Sequence, residues 1–153
     1  MSKILIAYFS ATGNTAKVAK DLAAAIGADL FEIRPREPYS PADINWTNPF
    51  SRCNREKMGK KDVPVESRAE GFEQYNTVLL GFPIWYFCQP NIINTFCKDY
   101  DWTGKTVYAF ATSGGSGIGK TAEKLMPYME GALSVEAKVV HSAAEVEHWL
   151  KPY

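Results

Sequence analysis

The chain has 153 residues, 46% hydrophobic and 13% aromatic, a composition that builds one domain over residues 1–153 with a sizeable core and excludes a disordered chain. Seventeen basic residues balance seventeen acidic ones, and no apolar run approaches the roughly 20 residues that cross a bilayer; neither a nucleic-acid footprint nor a membrane span is expected. Three cysteines without C-x-x-C spacing, two histidines with no cysteine nearby, and a Met1-Ser2-Lys3 start that runs straight into a strand fit a reduced, cytoplasmic protein with no metal site.

Lys3 to Phe9 is a continuous apolar run, as a parallel strand covered on both faces requires. Ser10-Ala11-Thr12-Gly13-Asn14-Thr15 follows, and Gly13 to Ile26 reads as an amphipathic helix closed by Gly27. A strand, a polar turn and a helix N-terminus make an anion cradle, because the first helical N–H groups have no partner inside the helix. Ser10, Thr12, Asn14 and Thr15 add neutral donors, while no Lys or Arg stands in the turn. One capping residue would satisfy the helix. Four donor side chains in six positions exceed that need and suit a phosphate held by hydroxyls, amides and the helix dipole.

This S-x-T-G-N-T turn after a first strand resembles the FMN phosphate loop of the flavodoxin family. The resemblance implies a flavodoxin-like α/β fold, a doubly wound five-stranded parallel sheet of order 2-1-3-4-5 with helices on both faces. It also implies FMN at the carboxyl ends of the strands, a placement rule that flavodoxins themselves commonly illustrate.

Leu30 to Ile33 is a short second strand. Residues 34 to 68 then carry five prolines, with eight basic and five acidic side chains for a net of +3. So long an excursion is more often functional than idle. Its Trp46, Phe50, Ser51, Arg52, Arg55 and Met58 fit either a surface flap or a lid over the open end of the sheet. Asn76 to Phe82 is the third strand, Asn91 to Lys98 a helix, and Thr106 to Ala111 the fourth strand. Lys120 to Met129 is expected to be helical, Val135 to Val140 to be the fifth strand, and Ala143 to Leu150 to be a terminal helix capped by Ser142. Strand and helix alternate five times, which points to a doubly wound sheet with right-handed crossovers.

The loops after strands one, three and four should meet at one rim. Pro83, Ile84, Trp85, Tyr86 and Phe87 place large aromatics just past the third strand. At least one is expected to fold onto the core, and Trp85 or Tyr86 to pack on a flat ring, with about 0.5–1.5 kcal/mol beyond area burial. Thr112, Ser113, Gly114, Gly115 and Gly117 form a loop nearly free of side chains, able to offer backbone N–H groups to a ligand edge. P-I-W-Y and T-S-G-G-S-G resemble the isoalloxazine-binding loops of flavodoxin-like proteins. Gly114 to Thr121 also matches the ATP phosphate loop. A working ATP site needs a magnesium-binding Asp on a later strand, and no Asp follows Asp101. Cys88, near the presumed flavin, reads as a small packing residue. Cys97 reads as core, and neither His141 nor His148 has a carboxylate at a telling spacing for a catalytic base. No catalytic side chain is assigned.

The resemblance leaves two redox roles open. The leading one is an electron carrier that shuttles electrons on FMN between redox partner proteins, as a monomer or weak dimer. The alternative is an FMN-dependent NAD(P)H oxidoreductase of quinone-reductase type; a non-redox FMN-binding domain is a third, blander option. In carriers of the family a Gly after the third strand turns one peptide toward the flavin. Here Trp85-Tyr86-Phe87-Cys88-Gln89 has no Gly, and a non-Gly residue would pay roughly 1–2 kcal/mol for that turn. With the missing acidic face, this favours two-electron chemistry. The short length and the absence of an evident nicotinamide site favour the carrier.

Overall fold

The elements in chain order are β1 (Lys3–Tyr8), α1 (Asn14–Ile26), β2 (Asp29–Glu32), β3 (Tyr75–Pro83), α2 (Asn91–Lys98), β4 (Thr106–Thr112), α3 (Thr121–Leu125), β5 (Ser134–Val139) and α4 (Ala143–Trp149). They come from a computed structural model that describes residues 3–10, 13–35, 65, 69, 71–84, 89–112 and 121–150. The sheet runs β2-β1-β3-β4-β5, every pairing parallel, so the doubly wound order that the family resemblance implies is the order found.

Alternation along the strands divides the core in two. Leu5, Ala7 and Phe9 of the β1 segment and Val78, Leu80 and Phe82 of β3 face a layer holding Ile92, Ile93 and Phe96 of α2 and Leu125 of α3. Ile6, Tyr8, Leu79 and Phe110 face Val18, Ala19 and Leu22 of α1 and Val146 of α4. The continuous apolar runs of β1 and β3 follow from this, since both sides of a central strand are buried. β5 is an edge strand, and its exposure alternates residue by residue.

The helix expected from Lys120 to Met129 is shorter. α3 stops at Leu125, and Met126–Tyr128 forms a 3-10 turn. Pro127 explains the break, for it has no N–H to donate and its ring crowds the carbonyl four residues back. Lys120 itself lies outside the described residues. A 3-10 turn at Phe72–Gln74, which the sequence did not signal, leads into β3. The remaining boundaries differ from expectation by one or two residues, within the usual fraying of element ends. Ser142 caps α4 as expected, its Oγ accepting from the Glu145 N–H at 3.4 Å. Cys97 is in the core, where burial pushes its thiol far up.

The amino-terminal edge of the sheet is closed by polar groups that find partners. Lys105, 5% exposed, donates from Nζ to the carbonyls of Tyr75 at 2.5 Å and Phe72 at 3.1 Å. Its ammonium also stands 4.8 Å from the centre of the Phe72 ring. The Tyr75 hydroxyl donates to Asp29 Oδ2 at 2.7 Å, and the Trp102 indole N–H to the Cys97 carbonyl at 2.9 Å. Phe72 stacks on Tyr100 at 4.3 Å and meets Trp102 edge-on at 4.9 Å.

Candidate functional site

The opposite, carboxyl-terminal rim is where α1 begins. Gly13 starts the helix at φ 96°, ψ −13°, and its N–H donates to Ser10 Oγ at 3.0 Å. A Cβ there would meet nothing within 4 Å, so the demand for glycine is the left-handed backbone and not space. Ser10 thus spends its oxygen on the turn ahead of the helix and not on a first-turn amide. No side chain caps α1 and no acidic residue stands in its first turn. Among the described residues, the N–H groups of Asn14, Thr15 and Ala16 have no acceptor. They are donors set in one direction at the positive end of a 13-residue helix.

Thr15 is 1% exposed, and its Oγ1 lies 2.7 Å from Oγ1 of Thr112, the last residue of β4. Thr112 in turn accepts from the Ile84 N–H at 2.9 Å through its carbonyl and stands in register with Pro83. The Phe9 N–H donates to the Gly81 carbonyl at 2.9 Å. The exits of β1, β3 and β4 are therefore tied side by side, and Ser10, Gly13, Asn14, Thr15, Pro83, Ile84 and Thr112 gather at one rim. The expected Ala11, Thr12, Trp85, Tyr86, Phe87, Ser113, Gly114, Gly115 and Gly117, with Cys88 and the aromatic and basic residues of the excursion, lie outside the described residues. Sequence reasoning missed Gln89, which is 2% exposed and donates from Nε2 to Asn94 Oδ1 at 2.8 Å, pinning the end of the aromatic loop to α2. A glutamine after three aromatics carries no recognisable signal. It also missed the Thr15–Thr112 pair, a contact across 97 positions.

Electrostatically the rim is mild. Burial, then the Glu32 carboxylate, raise the Tyr8 pKa and keep its hydroxyl neutral. The long excursion leaves from this same end of the sheet, because Pro35 and Val65 meet in an antiparallel bridge just past β2. Thr121, the last position of the ATP-loop match, is fully buried, a poor place for a metal-binding hydroxyl. Among the described residues, no three His, Cys, Asp or Glu side chains group as a metal site, and no helix is long and apolar enough to cross a membrane.

Beside the cradle lies a cleft of about 390 Å³ between α1, the ends of β4 and β5, and the start of α4. Asn14 and Thr112 belong to both cradle and cleft, and the exposed Lys17, Asp21 and His141 are also in its lining.

Comparison with known proteins agrees with the fold. The profile of the family described as Flavodoxin matches residues 3–152. No curated protein sequence matches the chain. A provisionally assigned flavoprotein from Bacteroides eggerthii is 42% identical, with a TM-score of 0.90 over 98% of this chain and 96% of that one. A second, from Bacteroides uniformis, is 37% identical, with a TM-score of 0.86 over 98% of both chains. A Lactobacillus acidophilus flavoprotein solved in complex with FMN shares the fold at 24% identity, with a TM-score of 0.72 over 99% of this chain and all of that one.

Proposed function

The chain belongs to the flavodoxin family, and from that premise we propose that it is an FMN-binding protein that carries electrons between redox partner proteins in the cytoplasm. The observation that carries this reading is the uncapped start of α1 at the shared rim. A phosphate monoester is the ligand such a start accepts: unpaired N–H groups, a helix dipole and neutral hydroxyls around a left-handed glycine, with no cation required. Family membership supports FMN as the cofactor, and so does the FMN-loaded relative.

In this reading the Asn14 to Ala16 amides and the side chains of Ser10, Thr12 and Asn14 hold the phosphate. Thr15 and Thr112 hold the exits of β1 and β4 at a fixed distance. Trp85 and Tyr86 wall the ring, and the glycine-rich segment after Thr112 faces its polar edge. The flavin supplies the redox chemistry. The protein orients it, excludes water from its faces and leaves an edge open for electron transfer.

The alternative is an NAD(P)H oxidoreductase acting on a small acceptor. What favours it is the lack of glycine in residues 85 to 89 and a net charge of zero, where a carrier docks its partners through an acidic face. A reductive titration separates the two. A carrier takes up electrons in two resolved steps, with long-wavelength absorbance rising and then falling. Single-step bleaching together with turnover of NADH or NADPH rejects the carrier. FMN itself should copurify, and Thr12→Val with Asn14→Ala should weaken it tenfold or more, about 1.4 kcal/mol. Unchanged FMN affinity in that double variant would show that the phosphate sits elsewhere.

A further inference from the structure

We propose that the outer edge of β5 is a self-association surface, where a second copy of this chain adds its own β5 antiparallel to the first, Ala137 facing the partner's Ala137 across a two-fold axis. Among the described residues β5 pairs with β4 alone, so its other side is open. The Val140 N–H donates to the Ala111 carbonyl at 2.8 Å, one step past the Ala111–Val139 register pair. The two strands pair one to one, and backbone groups alternate sides along a strand. The N–H and C=O groups of Val135, Ala137 and Val139 therefore point to the open side. An unpaired row of this kind is a template for another strand.

Edge strands are commonly kept from pairing by a charged side chain, lysine above all. β5 carries Lys138, but with Glu136 two positions earlier on the same exposed face. About Ala137, antiparallel pairing sets Glu136 of each copy opposite the partner's Lys138. At that position the strands exchange no backbone bonds and side chains come closest, with Cα atoms about 4.5 Å apart. On the other face Val135 meets the partner's Val139, and about six backbone hydrogen bonds join the strands. Moving the axis to residue 136 sets two glutamates against each other; moving it to residue 138 opposes two lysines. The charges thus select one register. Among the described residues neither side chain is in an ion pair. Glu145, the carboxylate that feels Lys138, is held first by the His141 backbone N–H.

The opposite edge lacks these features. β2 has Asp29 and Glu32 and no base, so no antiparallel register of two copies gives its acids a basic partner. The exposed apolar side chains agree with the choice of β5. Leu133, 74% exposed, and Met126, 50% exposed, lie in the segment that leads into β5, against Leu30 at 41% on β2. Antiparallel joining turns the two carboxyl-terminal rims to opposite ends, so self-association leaves both cradles open and does not depend on FMN.

Sedimentation velocity over a wide range of protein concentration, with FMN-loaded and with FMN-free protein, tests this. A reversible monomer–dimer equilibrium is expected in both forms. Glu136→Lys and Lys138→Glu each turn two attractive pairs into repulsive ones and should weaken the dimer about tenfold or more. Mixed together, the two variants should form a heterodimer, since one strand then presents two bases and the other two acids. The double variant, with the charges exchanged, should dimerise like wild type. Ala137→Pro removes a central N–H at an edge position that tolerates proline, and should abolish dimers while flavin absorbance shows the rim intact. A monomer at every concentration, a species larger than a dimer, a dimer indifferent to the charge reversals, or single variants that do not pair with each other overturns the proposal. A chain that dimerises in this way without binding FMN would support the interface and overturn the cofactor reading alone.

Discussion

The two ends of the sheet solve opposite problems. At the amino-terminal edge polar groups are brought in and satisfied: Lys105 caps two carbonyls, Tyr75 holds Asp29, and Trp102 reaches the Cys97 carbonyl. At the carboxyl-terminal rim they are brought together and left open, with three successive α1 amides lacking an acceptor among the described residues. The same parallel strands run between the two ends, so the register fixed at the closed end also sets the open one. The lesson is a separation of tasks: the closed edge stabilises the fold, and the rim can remain underfilled because of it.

The sharpest way to break that separation is at Lys105. Lys105→Met removes a buried ammonium and leaves the carbonyls of Phe72 and Tyr75 without it. The expected loss is about 2–4 kcal/mol, read by urea unfolding of FMN-free protein. FMN affinity of the folded variant should stay within twofold of wild type. A large fall in affinity would show that the two ends are coupled.

Gly81→Ala tests the middle of the sheet. A Cβ at residue 81 would lie 2.4 Å from the Phe110 ring on the neighbouring strand, which is buried under α1 and α4. The overpacking should cost about 1–3 kcal/mol. Phe110→Leu in the same chain should recover part of it, and thermal unfolding of the single and double variants checks both statements. If the single variant is as stable as wild type, the strands are less tightly packed than described.

At the rim the balance reverses. Thr15→Val keeps volume and removes one hydroxyl from the 2.7 Å pair with Thr112. Stability should fall by only about 1 kcal/mol, while FMN affinity, read by quenching of flavin fluorescence, falls several-fold. Equal loss in FMN-free stability and no loss in affinity would make the pair a structural tie alone.

How much of this was legible in the sequence follows the same division. β1 and the start of α1 could be read because an unbroken apolar strand, a glycine and a helical period are local signals. α2 was legible in full, from Asn91 to Lys98. The break in α3 was legible in principle, since Pro127 stood in the expected helix, but the apolar spacing around it outweighed the proline. Long-range pairs were not legible at either end. Nothing in the sequence near Lys105 says that its ammonium will find carbonyls 30 and 33 residues earlier. Nor does anything near Thr15 announce Thr112. The rim could be proposed as a binding site because its candidate donors are concentrated in six consecutive positions. The closed edge assembles its partners from four separate segments, so it could be seen only once folded.

The smallest effect is also the most selective, because it depends on pH. Burial, then hydrogen bonding to Asp29, push the Tyr75 hydroxyl up to about 12 from an ordinary value of 10.0. A raised pKa means the folded state prefers the proton. The contribution is complete below pH 10 and is lost as pH rises through about 12. Lys105 acts in the opposite sense: burial lowers its pKa from 10.5, so raising the pH toward that value relieves the cost of its charge. Measured alone, wild-type stability in alkali mixes the two. Tyr75→Phe separates them, since the variant retains Lys105 and lacks the hydroxyl. At pH 8 the variant should be less stable by about 0.5–1 kcal/mol for the lost hydrogen bond. Between pH 10 and about 12 that gap should close, because only wild type loses stability through residue 75. The measurement is the difference in urea midpoint between the two proteins across this range. A constant gap would mean that Tyr75 titrates normally and that the closed edge is wetter than its hydrogen bonds imply. A closing gap with unchanged FMN affinity at pH 8 would show that the closed edge can be weakened without disturbing the rim.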